Sequence, residues 1–200
     1  MGFRIASIGV GAIGGTLAGF MSKEGEDVLL IDSWREHVDA MNKHGLTLDG
    51  ITGKHNVAVN TIHTDQIPNI EGIFDMVIVA VKSYDTQEAI KRMLPFMNDD
   101  TWVVSPQNSI NEVRIAPIVG ANRTIGCITT ISAGIYEPAH ITRTGSVSQS
   151  LQKEPTCFKV GELHGEITPR VEKIVDLFSS AGKTVPTEDL WGERWSKMVT

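Results

Sequence analysis

The sequence has little of what marks secreted, membrane-bound or nucleic-acid-binding proteins. Its two cysteines, Cys127 and Cys157, match no spacing of a metal site or redox pair, so we expect buried, inert thiols and no metal. It has no run of lysine and arginine, and its formal net charge of −6 disfavours nucleic acid as a partner. Its longest strongly apolar run, residues 76–81, is far too short to span a bilayer. Because the first residues already form a predicted strand, we expect no signal peptide and a cytoplasmic protein that does not bind membranes.

What is present is enough apolar material for one core, or for one domain and the start of another: 41% of 200 residues. Apolar strand patterns alternate with helical ones, which predicts an α/β fold of the Rossmann type with a doubly wound, mostly parallel sheet. The predicted helices cover residues 13–23, 34–44, 86–97 (broken near Pro95), 110–119 and 167–181. The predicted strands cover residues 28–31, 74–81, 101–105, 124–131 and 184–185, with a small hairpin over 46–59. Residues 134–142, 147–150 and 158–161 are predicted as short strands that extend the sheet in antiparallel fashion.

The first strand ends in a glycine motif that is followed by the first helix: Gly9-Val10-Gly11-Ala12-Ile13-Gly14. Gly9 permits a tight turn, Gly11 lets the backbone approach a phosphate, and Gly14 lets the helix lie close to the strand. The free N–H groups and the dipole at a helix start favour an anion. The motif therefore predicts that a dinucleotide binds here through its pyrophosphate.

The second predicted strand ends in Asp32, about 20 residues after the glycine motif, where a Rossmann fold places an acid on the adenosine ribose. A carboxylate there repels a 2′-phosphate and favours NAD, although Ser33 and Arg35 could serve a phosphate if Asp32 turned away. Asp32 or Ser33 could also cap the next helix, which is compatible with ribose binding. His37 and His44 on that helix have no third ligand in register, so we expect solvated or packed side chains.

Two further polar positions follow predicted strands at the edge where open α/β sheets bind ligands. Lys82 follows the strongest strand and could reach a cofactor or an acidic substrate, or could be a solvated loop lysine. Asn108 follows the next strand and could bind a nicotinamide ribose or a substrate carbonyl, while Asn108 or Ser109 could instead cap a helix.

Near the C-terminus, Leu190, Trp191, Arg194, Trp195 and Met198 recur at helical spacing up to the last residue. We therefore expect a nucleotide-binding domain over residues 1–186 and, over 187–200, the first helix of a helical domain whose remainder is absent. On spacing alone, Lys197 is an exposed lysine of that helix.

Four segments in order resemble the ketopantoate reductase (2-dehydropantoate 2-reductase) family: the glycine motif, Val81-Lys82-Ser83-Tyr84-Asp85-Thr86, Gln107-Asn108-Ser109 with Asn111-Glu112, and Trp195-Ser196-Lys197-Met198. The resemblance implies NAD(P)H-dependent reduction of a 2-oxo acid, 2-dehydropantoate, to pantoate on the route to pantothenate and coenzyme A. It also implies that Lys82 and Asn108 lie between nicotinamide and substrate, that Ala133 contacts the cofactor, and that Lys197 donates a proton. Such a cation suits a ketone reduction, in which negative charge builds on oxygen.

The sequence departs from that family at two positions. Ser109 replaces a usual glycine, and Asp32 stands where many members have an arginine or another residue suited to the 2′-phosphate of NADP. Two alternatives stay open: a related two-domain dehydrogenase for another 2-oxo or 3-hydroxy acid, and a non-catalytic nucleotide-binding module. A homodimer is one possible assembly, and we expect the 200 residues alone to turn over substrate poorly.

Overall fold

The computed structural model of the protein describes residues 2–144 and 155–199. The predicted strand over residues 147–150 lies outside them. The twelve strands described are β1 (Arg4–Ile8), β2 (Asp27–Asp32), β3 (Leu46–Gly50), β4 (His55–Val57), β5 (Asn60–His63), β6 (Met76–Val79), β7 (Trp102–Ser105), β8 (Thr124–Thr129), β9 (Ser132–Glu137), β10 (His140–Thr144), β11 (Phe158–Glu162) and β12 (Thr184–Pro186). The α-helices are α1 (Ala12–Lys23), α2 (Arg35–His44), α3 (Thr86–Met93), α4 (Glu112–Val119), α5 (Pro169–Ser179) and α6 (Leu190–Val199).

Eight strands form the central sheet in the order β12-β11-β8-β7-β6-β1-β2-β5. All neighbouring strands from β8 to β5 are parallel. From β1, the strands β2 and β5 are added on one side of the sheet, whereas β6, β7 and β8 are added on the other, so the strand order reverses between β1 and β6. This arrangement confirms the Rossmann-type doubly wound sheet. Ligands of such sheets bind outside the carboxyl ends of the strands at the point of reversal.

The antiparallel extension is confirmed by β11, which pairs antiparallel with β8. The placement of residues 134–142 in that extension is wrong. The strands β9 and β10 instead join β3 and β4 in a separate four-stranded sheet, in the order β4-β3-β10-β9. Its apolar side chains cover α1, since a Cβ on Gly15 would lie 2.3 Å from Ile141 and one on Gly19 would lie 2.9 Å from Leu46. The alternating pattern of a strand identifies its buried face but not its partner.

The helices cover both faces of the central sheet, so successive residues of a buried strand enter different cores. Leu30 of β2 packs in the cluster that holds α1, α2, α5 and the second sheet, whereas Ile31 packs with α3 and α4. The long predicted helix over residues 86–97 ends at Met93 and continues as a 3₁₀ turn over Leu94–Phe96, as expected near a proline. Of the described helices, none is both long and apolar enough to cross a membrane.

Candidate functional site

The glycine turn between β1 and α1 places each glycine where a side chain would not fit or would block a ligand. Gly9 has a φ of +92°, and a Cβ there would lie 2.6 Å from the Val81 nitrogen. A Cβ on Gly14 would lie 2.0 Å from the Gly9 carbonyl oxygen, so only glycine lets α1 approach the turn. A Cβ on Gly11 would meet nothing within 4 Å and would project into open space. The backbone at Gly11 is therefore accessible to a ligand.

Helix α1 begins at this turn without a capping side chain. Gly11 is its N-cap residue, and the first turn, which includes Ala12 and Ile13, contains no acidic residue. The amide groups at the helix start thus keep their donor capacity and the positive end of the helix dipole, which together favour an anion.

Asp32, at the end of β2, braces the glycine turn. Its Oδ2 accepts a hydrogen bond from the Val10 N–H at 2.6 Å, and its Oδ1 accepts one from the Trp34 N–H at 2.8 Å. The carboxylate therefore fixes both the turn and the start of α2. Each carboxylate oxygen has a second lone-pair site, so Asp32 can still accept a hydrogen bond from a hydroxyl in the cleft.

A cleft of about 500 Å³ opens between the ends of β1, β2 and β6. Its walls combine the glycine turn and Asp32 with apolar strand ends and polar groups of the next loop and helix: Ile8, Gly9, Gly11, Ile31, Asp32, Ser33, Thr64, Ala80, Val81, Lys82, Tyr84, Asp85, Glu88, Ala89 and Arg92. Lys82 is exposed at the rim, just beyond the end of β6. The cleft lies where ligands bind in this fold, and its volume is in the range of small-molecule and cofactor sites.

The loop after β7 is clamped to the loop after β6 by two buried amides that sequence reasoning treated only as motif members. The Gln107 side-chain amide donates hydrogen bonds to the Val81 carbonyl at 2.6 Å and to the Thr86 hydroxyl at 2.8 Å. The Asn111 amide donates to the Ser83 hydroxyl at 3.0 Å and to the Asn108 carbonyl at 2.7 Å. Lys82 and Asn108 are therefore carried by loops whose relative position is fixed.

Ser109 has a φ of +71°, a left-handed conformation that side chains disfavour. Glycine adopts this conformation without strain, which is consistent with the glycine expected at position 109 from the resemblance of Gln107-Asn108-Ser109 to the family motif.

Lys197, expected from the family resemblance to donate a proton, meets Asn108, expected to lie between nicotinamide and substrate, although the two residues are 89 positions apart. Lys197 Nζ donates a hydrogen bond to Asn108 Oδ1 at 2.7 Å and a second to the carbonyl oxygen of Thr129, the last residue of β8. Burial lowers the pKa of the Lys197 ammonium, and the nearby Arg194 guanidinium lowers this pKa further. The ammonium is thus a stronger acid than a solvated lysine.

Arg194 fastens α6 to the loop after β7, and sequence reasoning gave it no role. Its side chain is 1% exposed, forms an ion pair with the buried Glu112, and donates hydrogen bonds to the carbonyls of Gln107 at 2.5 Å and Ser105 at 3.0 Å. Two features of the sequence could have indicated this ion pair: Arg194 stands among apolar residues of a helix, and Glu112 belongs to one of the motifs that resemble the family. Since Lys197 lies one helical turn beyond Arg194, this pair helps to place the lysine.

The remaining residues considered in the sequence lie in different parts of the fold. Ala133 lies in β9 of the second sheet and is not among the residues that line the cleft. Cys127 and Cys157 are buried and unpaired, and burial raises the pKa of Cys127 to about 12, so that thiol is inert. Among residues 2–144 and 155–199, no cluster of histidine, cysteine and carboxylate side chains could hold a metal. His37 is packed and His44 is exposed.

Comparison with known proteins gives consistent matches over this architecture. The family model of ketopantoate reductase PanE/ApbA matches residues 5–154. The 2-dehydropantoate 2-reductase of Pyrococcus horikoshii is 35% identical over 198 residues, which are 98% of this chain and 60% of that protein. The corresponding protein of Pyrococcus abyssi is 34% identical with the same coverage. The chain thus spans about 60% of the length of these relatives.

Solved structures give the same result for the fold. The 2-dehydropantoate 2-reductase of Geobacter metallireducens superposes with a TM-score of 0.83 at 26% identity, covering 98% of this chain and 62% of that one. D-mandelate dehydrogenase with NADH and anilino(oxo)acetate superposes with a TM-score of 0.81 at 22% identity, covering 97% and 60%, which supports the fold alone. By the match of the family model to residues 5–154, the chain belongs to the ketopantoate reductase family.

Proposed function

We propose that the protein binds NAD(P)H and supplies the nucleotide half of an active site that reduces a 2-oxo acid, 2-dehydropantoate, to pantoate for pantothenate and coenzyme A synthesis. The observation that carries the proposal is the hydrogen bond of 2.7 Å between Lys197 Nζ and Asn108 Oδ1 at the carboxyl ends of the strands. It places a cation with a transferable proton beside a polar amide at the edge of the sheet that binds ligands.

The residues present fit a dinucleotide. Gly11 leaves open space beside the start of α1, and the amides there have no capping side chain, so they suit a pyrophosphate. Asp32 lines the same cleft, where its carboxylate can accept the ribose hydroxyls. When bound, a reduced nicotinamide would supply a hydride to the carbonyl carbon of the substrate.

In this proposal, Lys197 stabilises the negative charge on the carbonyl oxygen and gives it a proton, which completes the alcohol. The lowered pKa of Lys197 makes this transfer easier. Asn108 holds the ammonium in place through its Oδ1 and keeps its amide N–H groups for the nicotinamide ribose or the substrate. Lys82, exposed at the cleft rim, attracts the acidic groups of cofactor and substrate.

We propose that the cofactor is NAD rather than NADP. The Asp32 carboxylate is held in the cleft by two backbone N–H groups, so it is not turned away and would repel a 2′-phosphate. Arg35, the cation that could have served a phosphate, instead contacts Asp65 at 2.8 Å and His63 at 3.3 Å. Replacing Asp32 with alanine should shift the ratio of NADPH to NADH affinity toward NADPH; an unchanged ratio in calorimetry would contradict the assignment.

We also propose that α6 opens a helical domain, with residues 1–186 forming the nucleotide domain. Trp195, Met198 and Val199 are exposed on α6, although tryptophan and methionine are usually packed. Ala133 is proposed as a cofactor contact only on the family resemblance.

The proposal is tested in two steps. The 200-residue chain should bind NADH saturably in calorimetry, and absence of binding to both NADH and NADPH would contradict it. In a protein of the length of its relatives, Lys197→Ala should lower kcat for 2-dehydropantoate by about 100-fold or more while leaving the Kd for NADH unchanged. Lys91→Ala, an exposed lysine of α3, is the control.

A panel of 2-oxo and 3-hydroxy acids separates the remaining possibilities. Preference for another acid would indicate a related dehydrogenase. Binding of NADH with no Lys197-dependent turnover of any acid would indicate a nucleotide-binding module without catalysis.

A further inference from the structure

His37 of α2 is a buried histidine outside the proposed catalytic machinery, and its side chain is 1% exposed. Both of its ring nitrogens are engaged. Nδ1 accepts a hydrogen bond from the Ala139 N–H at 2.8 Å, and Nε2 lies 3.0 Å from the Val10 carbonyl oxygen. Since a backbone N–H can only donate and a carbonyl can only accept, the ring is neutral with its proton on Nε2.

Burial lowers the pKa of His37, which is consistent with the neutral ring; the carboxylate of Asp32 opposes this shift only in part. The indole of Trp34 is stacked on the imidazole with the ring centroids 5.2 Å apart. The ring is therefore held from three sides: by the glycine turn, by the second sheet and by the start of α2.

Val10 is the second residue of the glycine motif, and its two polar backbone groups are both bound to side chains of the second strand–helix unit. Its N–H donates to Asp32 and its C=O accepts from His37. In a trans peptide the C=O of one residue and the N–H of the next point in opposite directions, and no described peptide bond is cis. When His37 holds the Val10 carbonyl, the Gly11 N–H consequently points away from His37.

We propose that His37 is a positioning residue that aims the Gly11 N–H at the pyrophosphate of the dinucleotide. This inference rests on the proposed dinucleotide binding and adds to it the group that orients the phosphate donor. Within residues 2–144 and 155–199 no acceptor is recorded for the Gly11 N–H, and Gly11 borders the cleft. A peptide whose direction is fixed before binding loses little entropy when the ligand arrives.

The second bond of His37 ties this turn to the second sheet. Ala139, whose N–H donates a hydrogen bond to His37 Nδ1, lies in the turn between β9 and β10 and has a φ of +57°. The second sheet therefore does more than cover α1. Through one imidazole it supports the peptide that faces the phosphate.

The test compares His37→Phe, which keeps a planar ring beneath Trp34 but removes both hydrogen bonds, with His37→Gln, whose amide can donate to Val10 and accept from Ala139. The control is His44→Phe, an exposed histidine of the same helix. Binding of ADP-ribose, which contains the pyrophosphate, and of adenosine, which does not, is measured by calorimetry or by NMR titration. The response of the Gly11 amide resonance to ADP-ribose is followed in the wild type.

We expect His37→Phe to weaken ADP-ribose and NADH binding by about tenfold, because the Gly11 peptide is then no longer fixed before the ligand arrives and must be ordered on binding. Adenosine binding should be unchanged, His37→Gln should recover most of the affinity, and His44→Phe should behave as the wild type. The Gly11 amide should shift when ADP-ribose binds.

Equal loss of adenosine and ADP-ribose affinity, or full ADP-ribose affinity in His37→Phe, would overturn the assignment of His37. An ADP-ribose affinity of His37→Gln no higher than that of His37→Phe would also overturn it. If His37→Phe does not fold, an unshifted Gly11 amide in the wild type, or a folded His37→Gln that binds no ADP-ribose, overturns it. Failure of the wild type to bind NADH, NADPH and ADP-ribose is a different result, because it contradicts the proposed function itself.

Discussion

At the scale of single residues, position in the fold determines the chemistry of each side chain more than its type does. Lys82 follows strand β6 and is exposed, whereas Lys197 lies on helix α6, is partly buried and is hydrogen-bonded to Asn108 and Thr129. Burial lowers the pKa of Lys197. A proton donor needs such a shift, since a donor works best with a pKa near the working pH.

The pH dependence of turnover should reflect Lys197. The ammonium is the active form, so in a protein of the length of its relatives kcat should be constant below the lowered pKa of Lys197 and should fall as the pH rises through it. The profile of the wild type is compared with that of Lys197→Arg, whose side chain stays charged. An alkaline limb that persists unchanged in the arginine variant would assign the titration to another group.

Residue type and order in the sequence single out candidate site residues but do not reveal their environments. The glycine motif, Lys82, Asn108 and Lys197 are candidates of this kind. The burial of Arg194 and the two bonds of His37 depend on contacts between residues far apart in sequence. A local sequence pattern places Arg194 and His37 in helices, but it does not show which residues their side chains contact.

At the scale of elements, α6 is held to the sheet by both packing and charge. Leu190 fills the space above Gly126, where a Cβ would lie 2.5 Å from the leucine, and Arg194 pairs with Glu112. Both partners of this ion pair are almost fully excluded from water. Such a pair contributes little net stability while intact, but it is costly to break.

Arg194→Met should therefore destabilise the protein by about 3–5 kcal/mol, because the Glu112 carboxylate would remain buried without its partner. Urea denaturation measures the change. The double variant Arg194→Met/Glu112→Leu should recover much of the loss. Arg92→Met, which removes an exposed pair with Glu88, should cost at most about 0.5 kcal/mol. Equal losses for Arg194→Met and Arg92→Met would contradict the structural role of the buried pair.

The second sheet is joined across three strands by His140. Its Nε2 contacts Asp49 of β3 at 2.6 Å and its Nδ1 contacts Glu137 of β9 at 2.7 Å. These contacts raise the pKa of His140, with the Glu137 carboxylate as the largest cause and Asp49 next. The stabilisation of the folded protein by protonated His140 is therefore complete at pH values below the pKa of histidine in the unfolded chain, about 6.5. It is lost as the pH rises through the raised pKa of His140 in the folded protein.

Amide protection factors in β3, β9 and β10 should consequently decrease between slightly acidic and alkaline pH in the wild type. In His140→Gln they should be lower at acidic pH and should lose this dependence. His164→Gln, which alters an exposed histidine, serves as the control. A dependence that remained in His140→Gln would show that another group is responsible.

At the scale of the whole molecule, the central sheet follows from the sequence and the second sheet does not. Buried parallel strands such as β6 are strongly apolar and need only their neighbours along a regular βα pattern. The pairing of β3 with β10 joins residues 91 positions apart at the Asp49–His140 contact. No short-range signal specifies that pairing, which is why residues 134–142 were assigned to the wrong sheet.

Dinucleotide binding should stabilise the molecule as a unit, because the proposed site draws on β1, β2, β6 and the helices that follow them. At an NADH concentration about 100 times its Kd, linkage gives about 2.7 kcal/mol. For a protein of this size that corresponds to an increase in Tm of about 5–10 °C. Calorimetric scans with NADH and, as control, with nicotinamide alone measure it. An unchanged Tm at saturating NADH would contradict the proposed site.

Because α1 lies between two sheets, its two sides are covered at different times during synthesis. The parts of the central sheet that hold one side of α1 emerge early from the ribosome, but the strand β10 that covers the other side is translated only with residues 140–144. Until then only β3, β4 and β9 of the second sheet can lie against the apolar outer face of α1. Chaperones that bind exposed apolar segments should therefore engage nascent chains that end before residue 140 more strongly than longer ones.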